Sequence, residues 1–176
     1  MDQKTLIKLV DYNPKTGEFT WKNRSQEFFQ TDHHMRSWNT RYAGKTIGVI
    51  DPKGYRSVFI MGKQYRLHRL AWLYCYGNLP KIVDHINGIK TDNRIENLRE
   101  VTQQQNLMNA ARSNKNTSGV TGVYFNQNRG IWCAQIKFNG QTYHLGSSKN
   151  FEKAVELRKN EEKRLGFSKR HGAPKC

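Results

Sequence analysis

Acidic residues are scarce in this chain. Asp and Glu number 14 against 30 Lys and Arg, so the formal net charge is +16 at pH 7 and the isoelectric point lies near 10.0. From Val101 through Phe151 there is no acid at all, although Arg112, Lys115, Arg129, Lys137 and Lys149 fall in that stretch. Such an imbalance points to a polyanion, with nucleic acid the first expectation and an anionic lipid surface the alternative. An acid-free segment does not repel phosphates, so it is expected along a duplex backbone. Cysteine is also sparse: Cys75, Cys133 and Cys176 are odd in number, far apart and free of any Cys-x-x-Cys pair. That excludes a disulfide framework and a structural zinc, and the thiols are expected to be reduced. No apolar run is long enough to span a bilayer and no signal-peptide core is visible, so the expectation is a cytoplasmic protein with no membrane partner. With 36% hydrophobic residues in 176, only modest cores are expected, in small modules.

Residues 2 to 10 carry Leu6, Ile7, Leu9 and Val10 behind Asp2 and predict a short helix, followed by a turn over 12–17 and a strand over 18–22. Residues 23 to 42 lose periodicity and are expected to be a long loop, with His33-His34 in solvent rather than on a metal. Strands are predicted at 47–50, 55–61 and 64–67, then a helix over 69–76 stopped by Gly77. His68 precedes that helix, as a cap or a buried core histidine. Together these give an N-terminal small antiparallel sheet.

The chemistry concentrates in residues 83 to 106. A β-branched run ending at Asp84-His85, a polar turn-rich segment to Asn97, an alternating Leu98–Thr102 and a run of helix formers behind Thr102 read as strand, loop, strand, helix. Folded as a ββα unit, Asp84 and His85 would end one strand, Asn97 would sit at the mouth of the next, and Asn106 would lie one turn into the helix. Phosphodiester hydrolysis needs a cation on the phosphoryl oxygens and a base for water. Asp84 and Asn106 offer hard oxygens, His85 titrates near neutrality, and Asn97 could fix the imidazole through its far nitrogen. The plainer alternative is an ordinary loop whose amides bond their own backbone.

Asp84-His85, Asn97 and Asn106 resemble the Asp-His, Asn, Asn motif of HNH nucleases, at the spacing of phage and intron-encoded nicking homing endonucleases. The likeness extends through His68-Arg69-Leu70-Ala71-Trp72 and Asp92-Asn93-Arg94-Ile95-Glu96-Asn97-Leu98. It implies an α+β protein with a ββα-metal (His-Me finger) nuclease core, a catalytic pair of His85 and Asn97, and one Mg²⁺ or Mn²⁺ per active site on Asp84 and Asn106. Arg69 and Arg94 are candidates for gripping the scissile phosphate, since guanidinium forks bind phosphate bidentately.

After a polar segment the composition changes. Strands are predicted at 120–125, 131–138 and 142–145, with Asn139-Gly140 a strong hairpin signal, followed by an amphipathic helix over 151–165. Alternation puts Trp132, Ala134, Ile136 and Phe138 toward the helix and Cys133, Gln135 and Lys137 away from it. Gly122-Val123, Trp132-Cys133-Ala134-Gln135-Ile136, Leu145-Gly146 and Glu152-Lys153-Ala154 resemble the ethylene-response-factor type of DNA-binding domain: a C-terminal three-stranded antiparallel sheet with one packed helix. By position its DNA-contacting places fall on Tyr124, Asn126, Gln135, Lys137, Thr142 and His144. The plant members carry Arg or Trp at most of these, which leaves the target sequence unreadable. The expected organisation is an N-terminal and nuclease region over 1–112 (motif 81–111), a linker over 113–118, a sheet-helix domain over 119–167 and a basic tail over 168–176.

These observations lead to a DNA endonuclease acting on double-stranded DNA, a nicking homing type, working as a monomer unless a dimer supplies a second site. Two other readings stay open: a DNA-binding regulator on an inactive nuclease scaffold, and an HNH nuclease associated with phage packaging.

Overall fold

The computed structural model describes residues 1–174; Cys176 lies outside them. The chain divides into two compact units, Met1–Glu100 and the remainder from Val101 onward.

The first unit opens with α1 (Gln3–Leu9), whose Asp2 side chain accepts from the Thr5 amide and caps the helix. It leads directly into the β1 (Val10–Asn13) and β2 (Glu18–Trp21) hairpin. A second sheet of β3 (Val49–Ile50), β4 (Arg56–Ile60) and β5 (Lys63–Arg66) follows, with β4 central. Then comes α3 (Leu67–Tyr76), ended by Gly77 in the left-handed conformation, as the sequence suggested. Leu6, Leu9, Val10, Phe19, Leu67, Leu70 and Ala71 are fully buried in one core beneath these elements. β6 (Val83–His85) and β7 (Leu98–Glu100) pair antiparallel at the end of the unit.

The long loop expected over 23–42 is instead a 3-10 turn and an eleven-residue helix, α2 (Asp32–Tyr42). Thr31 caps it by accepting from the His34 amide, and Asp32 pairs with Arg36 one turn on. No residue of α2 is fully buried. Its anchor is aromatic: Trp38 meets Trp21 edge-on at 5.5 Å between ring centroids and touches Phe29 and Tyr42. Partners contributed by other segments leave no apolar stripe within the helix sequence, which is why periodicity missed it. His33 and His34 therefore stand on a helix.

In the second unit, Thr102 and Gln105 form a reciprocal capping box at the start of α4 (Gln103–Met108). The sheet runs β10 (Gln141–Ser148), β9 (Ile131–Phe138), β8 (Val123–Asn126), all antiparallel. Asn139 and Gly140 both take positive φ at the β9–β10 turn, the geometry an Asn-Gly hairpin requires. α5 (Phe151–Arg164) packs on the sheet with Ala154 buried beside Val123 and Ala134, and Trp132 against Phe151 at 4.6 Å. Cys133 was expected to point outward and is nevertheless buried. The segment expected as a linker, 113–118, lies inside this unit. Residues expected as a tail are bonded to the stretch ahead of it: Ser168 N donates to Met108 O, Gly172 N to Ala110 O, and Arg112 N to Ala173 O. Backbone pairing of this kind leaves no sequence pattern.

Among the described residues no helix is long and apolar enough to cross a membrane.

Candidate active site

The β6–β7 hairpin sets Asp84 opposite Arg99 and His85 opposite Leu98. Alternation along a strand then separates the two acid-base groups: Val83 and His85 face inward and are buried, while Asp84 faces the other way. Asp84 Oδ2 accepts from Arg99 Nη2 at 3.0 Å and Nε at 3.3 Å.

The imidazole of His85 lies against that of His68, 4.8 Å between centroids, and Tyr55 stacks near both at 6.0 and 5.2 Å. Burial lowers the His85 pKa from its ordinary value, opposed by its contact with Asn93 and by the carboxylates of Asp84 and Asp92. Burial, with His85 and two arginines nearby, drives His68 down to about 3. Both rings are therefore neutral at pH 7, the state a proton acceptor needs. His68 is thus the buried core histidine, since the helix behind it begins at Leu67 with Arg66 as its N-cap residue.

Asn97 is not placed as the sequence suggested. Its Oδ1 accepts from the Asn87 amide at 3.0 Å and its Nδ2 donates to Asp92 O at 2.9 Å, so it staples the ends of the 86–97 loop. The position beside the imidazole belongs to Asn93, whose Oδ1 lies 3.4 Å from His85 Nε2. Asn93 is 1% exposed and its carbonyl accepts from the Tyr12 hydroxyl at 2.7 Å. The β1–β2 turn presses on the same place: a Cβ on Gly17, which holds φ +75, would meet Asn93 C and Arg94 N at 2.6 Å. Only glycine allows that approach.

Of the two arginines expected on phosphate, Arg94 is already held by carboxylates. It donates to Asp92 at 2.8 and 2.7 Å and to Glu96 at 2.9 Å. Its hydrogen bonds, with Asn87 Nδ2, keep the Asp92 pKa down at about 2. Arg69 donates to the carbonyls of Pro80 and Lys81, bracing the approach to β6. Arg99 escaped the sequence reading, as did the placement of Asn93 and Tyr55 beside His85. The alternation Leu98-Arg99-Glu100 opposite Asp84 could have revealed Arg99; nothing local marks Asn93 apart from its neighbouring amides.

Asp84, His85 and Asn97 belong to the first unit, and Asn106 lies on α4 in the second. Among the described residues there is no cluster of three or more His, Cys, Asp or Glu side chains of the kind that holds a metal by itself.

In the second unit the ladder puts Tyr124 beside Cys133, Gln135 beside His144 and Lys137 beside Thr142. Strand parity adds Asn126, so all six DNA-contact candidates share one sheet face. One end of that face, at Gln135, Lys137 and Thr142, borders a cavity of about 360 Å³ shared with Leu107, Arg158 and His171.

Residues 65–108 match the family model of the HNH endonuclease, from β5 through α4. This stretch is therefore similar to an HNH endonuclease domain. Over 97 residues it is 28% identical to protein 3.8 of Escherichia phage T7, covering 54% of this chain and 78% of that protein. It is 41% identical over 117 residues to an uncharacterized HNH endonuclease of Acanthamoeba polyphaga mimivirus, 60% of this chain but 29% of the relative. A second uncharacterized HNH endonuclease of that virus is 33% identical over 111 residues, 61% of this chain and 56% of the relative. The chain thus spans only part of the two mimivirus proteins. No solved structure matches it significantly.

Proposed function

We propose that the protein is a DNA endonuclease that hydrolyses phosphodiester bonds with His85 as general base, in the manner of a nicking homing enzyme, with the sheet of the second unit as its DNA reader. The observation that carries this is a buried, neutral His85 at the end of a strand inside the HNH-matched segment, with an acid on the adjoining residue.

With Nε2–H donating to Asn93 Oδ1, the His85 lone pair lies on Nδ1. That nitrogen takes the proton of the attacking water as its oxygen meets phosphorus, and the bond to the 3′ oxygen breaks. Asn93 and the packed ring of His68 hold the imidazole in one orientation; Asn97 and Asp92 keep the loop that carries Asn93 in shape. A divalent cation fits the donor chemistry, because a Mg²⁺ or Mn²⁺ that retains waters needs few protein oxygens. Asp84 would supply the carboxylate for such an ion. Such an ion, when bound, stabilises negative charge on the phosphoryl group and the leaving oxygen. Arg69 is the better placed of the two phosphate candidates, since among the described residues its guanidinium meets carbonyls rather than carboxylates.

The net charge of +16 and the shared face of Tyr124, Asn126, Gln135, Lys137, Thr142 and His144 support double-stranded DNA as the substrate; we propose a monomer that cuts one strand in the cytoplasm. The test is cleavage of supercoiled plasmid with Mg²⁺, with and without EDTA, by the parent and by His85→Ala. The parent should produce open circles only with metal, and His85→Ala none; cleavage by His85→Ala at the parental rate overturns the assignment.

One observation favours a second reading, a DNA-binding regulator on an inactive nuclease scaffold: the Asp84 carboxylate is already paired with Arg99. Metal-independent binding without cleavage by the parent would select it.

A further inference from the structure

Helix α2 carries a basic and aromatic surface that the hydrolytic site does not use. Arg24 is fixed there with unusual care. Asn39 Oδ1 accepts from its amide and Asn39 Nδ2 donates to its carbonyl, both at 2.9 Å. Its guanidinium lies 3.8 Å from the centroid of Trp38 and 4.5 Å from that of Trp21. Its Nε is buried without a hydrogen-bond partner, and no carboxylate among the described residues pairs with it. The two acids of this region are already engaged, Asp32 with Arg36 and Glu27 with Lys8. Positive charge therefore dominates this surface.

Beside this stack, Phe29, His34, Ser37, Trp38, Arg41 and Tyr42 line a recess of about 350 Å³. Tyr42 is exposed there, and the Arg41 guanidinium sits 5.4 Å from its ring centroid. An arginine beside an exposed ring, with no acid among the described residues to neutralise it, matches what a nucleotide presents once it leaves the stack: a flat apolar base and a phosphate. A base within a duplex keeps its faces covered and gives the rings nothing to stack on.

We propose that this recess binds an unstacked nucleotide of the DNA strand, with its base against Tyr42 and Trp38 and its phosphate on Arg41. Arg24 is a positioning residue that stiffens Trp38 from behind. The inference rests on DNA being the substrate and adds a contact in the first unit apart from His85. It would let the protein favour DNA that is locally unpaired.

The full-length chain is titrated, without divalent metal, into two labelled oligonucleotide duplexes of one sequence, fully paired or with a single unpaired base. The parent should prefer the bulged duplex by roughly tenfold, within the range for stacking one base on an aromatic ring. Tyr42→Ala should lose the preference and Tyr42→Phe keep it. Arg41→Gln should weaken binding to the bulged duplex and lower its salt slope by about one. Equal affinity of the parent for both duplexes, retained preference in Tyr42→Ala, or an equal loss on both duplexes overturns the proposal. Plasmid nicking by the same parental preparation separates the outcomes: nicking without a bulge preference sinks this inference alone, whereas absence of nicking sinks the nuclease reading. Both side chains are at the surface, and Tyr42→Phe controls for loss of fold.

Discussion

Asp84 and Arg99 face each other across the β6–β7 ladder, and the carboxylate accepts two hydrogen bonds from the guanidinium. On the proposed reading, a cation that binds Asp84 does so beside a fixed positive charge. Arg99→Gln should therefore lower the Mg²⁺ concentration for half-maximal plasmid cleavage, by roughly three- to tenfold, as expected for removing about 1 kcal/mol of competing interaction. A metal titration of cleavage reads this directly. An unchanged or higher Mg²⁺ requirement would show that Arg99 does not compete.

Asn97 is a structural staple here. Asn97→Ala removes two hydrogen bonds at the base of the 86–97 loop and leaves the Asn87 amide and the Asp92 carbonyl without them. The expected loss is about 1–3 kcal/mol of stability, seen as a lower midpoint in urea, with cleavage falling as the loop loosens. A variant that cuts poorly but melts like the parent would return Asn97 to a direct chemical role.

Asp92 gives the protein an acid-sensitive contact. Its folded pKa, about 2, lies below the ordinary 3.8 because Arg94 and Asn87 bond the ionised form. A depressed carboxylate pKa contributes stability that is fully present above the unfolded value and is lost as pH falls through the folded one. The gap in melting temperature between the parent and Asp92→Asn should thus be widest near neutrality and shrink from about pH 4 toward pH 2. Thermal melts of the pair across that range settle it, and a constant gap would count against the pairing.

Gly17→Ala should be among the more damaging small substitutions. The new methyl meets the backbone of Asn93 and Arg94 at 2.6 Å, at a φ of +75 that alanine resists. Strain of this kind costs on the order of 1–3 kcal/mol, or moves the loop that carries Asn93. Denaturant melts and plasmid cleavage should fall together; parental stability would mean that the turn shifts freely.

In the second unit, Lys137→Gln should weaken duplex binding and reduce its salt slope by about one if this sheet face follows a phosphate backbone. Fluorescence anisotropy at several salt concentrations measures both. An unchanged slope would take Lys137 off the DNA.

Local signals in the sequence make much of the molecule legible. Asp2 and Thr102 announced the helices they cap, and Gly77 the end of α3. Asn139-Gly140 specified a hairpin, and the Asp84-His85 pair stood out by spacing and chemical type. Helix α2 was invisible because its stability comes from Trp21 and Phe29, which are separate in sequence, rather than from a stripe of its own. The bonding of 168–173 to 108–112 was equally hidden, since backbone groups pair without regard to side-chain identity.

The sequence by itself determined the charge, the alternation of elements and the presence of a histidine able to act as a base, because composition and short-range periodicity are properties of neighbours along the chain. Tertiary structure alone decided that His85 is buried against His68 and meets Asn93, that Asn97 holds the loop instead, and that Arg99 sits on Asp84. Those assignments depend on which of several chemically equivalent amides and guanidinium groups comes within about 3 Å of a given atom, and at that range hydrogen bonds discriminate by distance rather than by residue type.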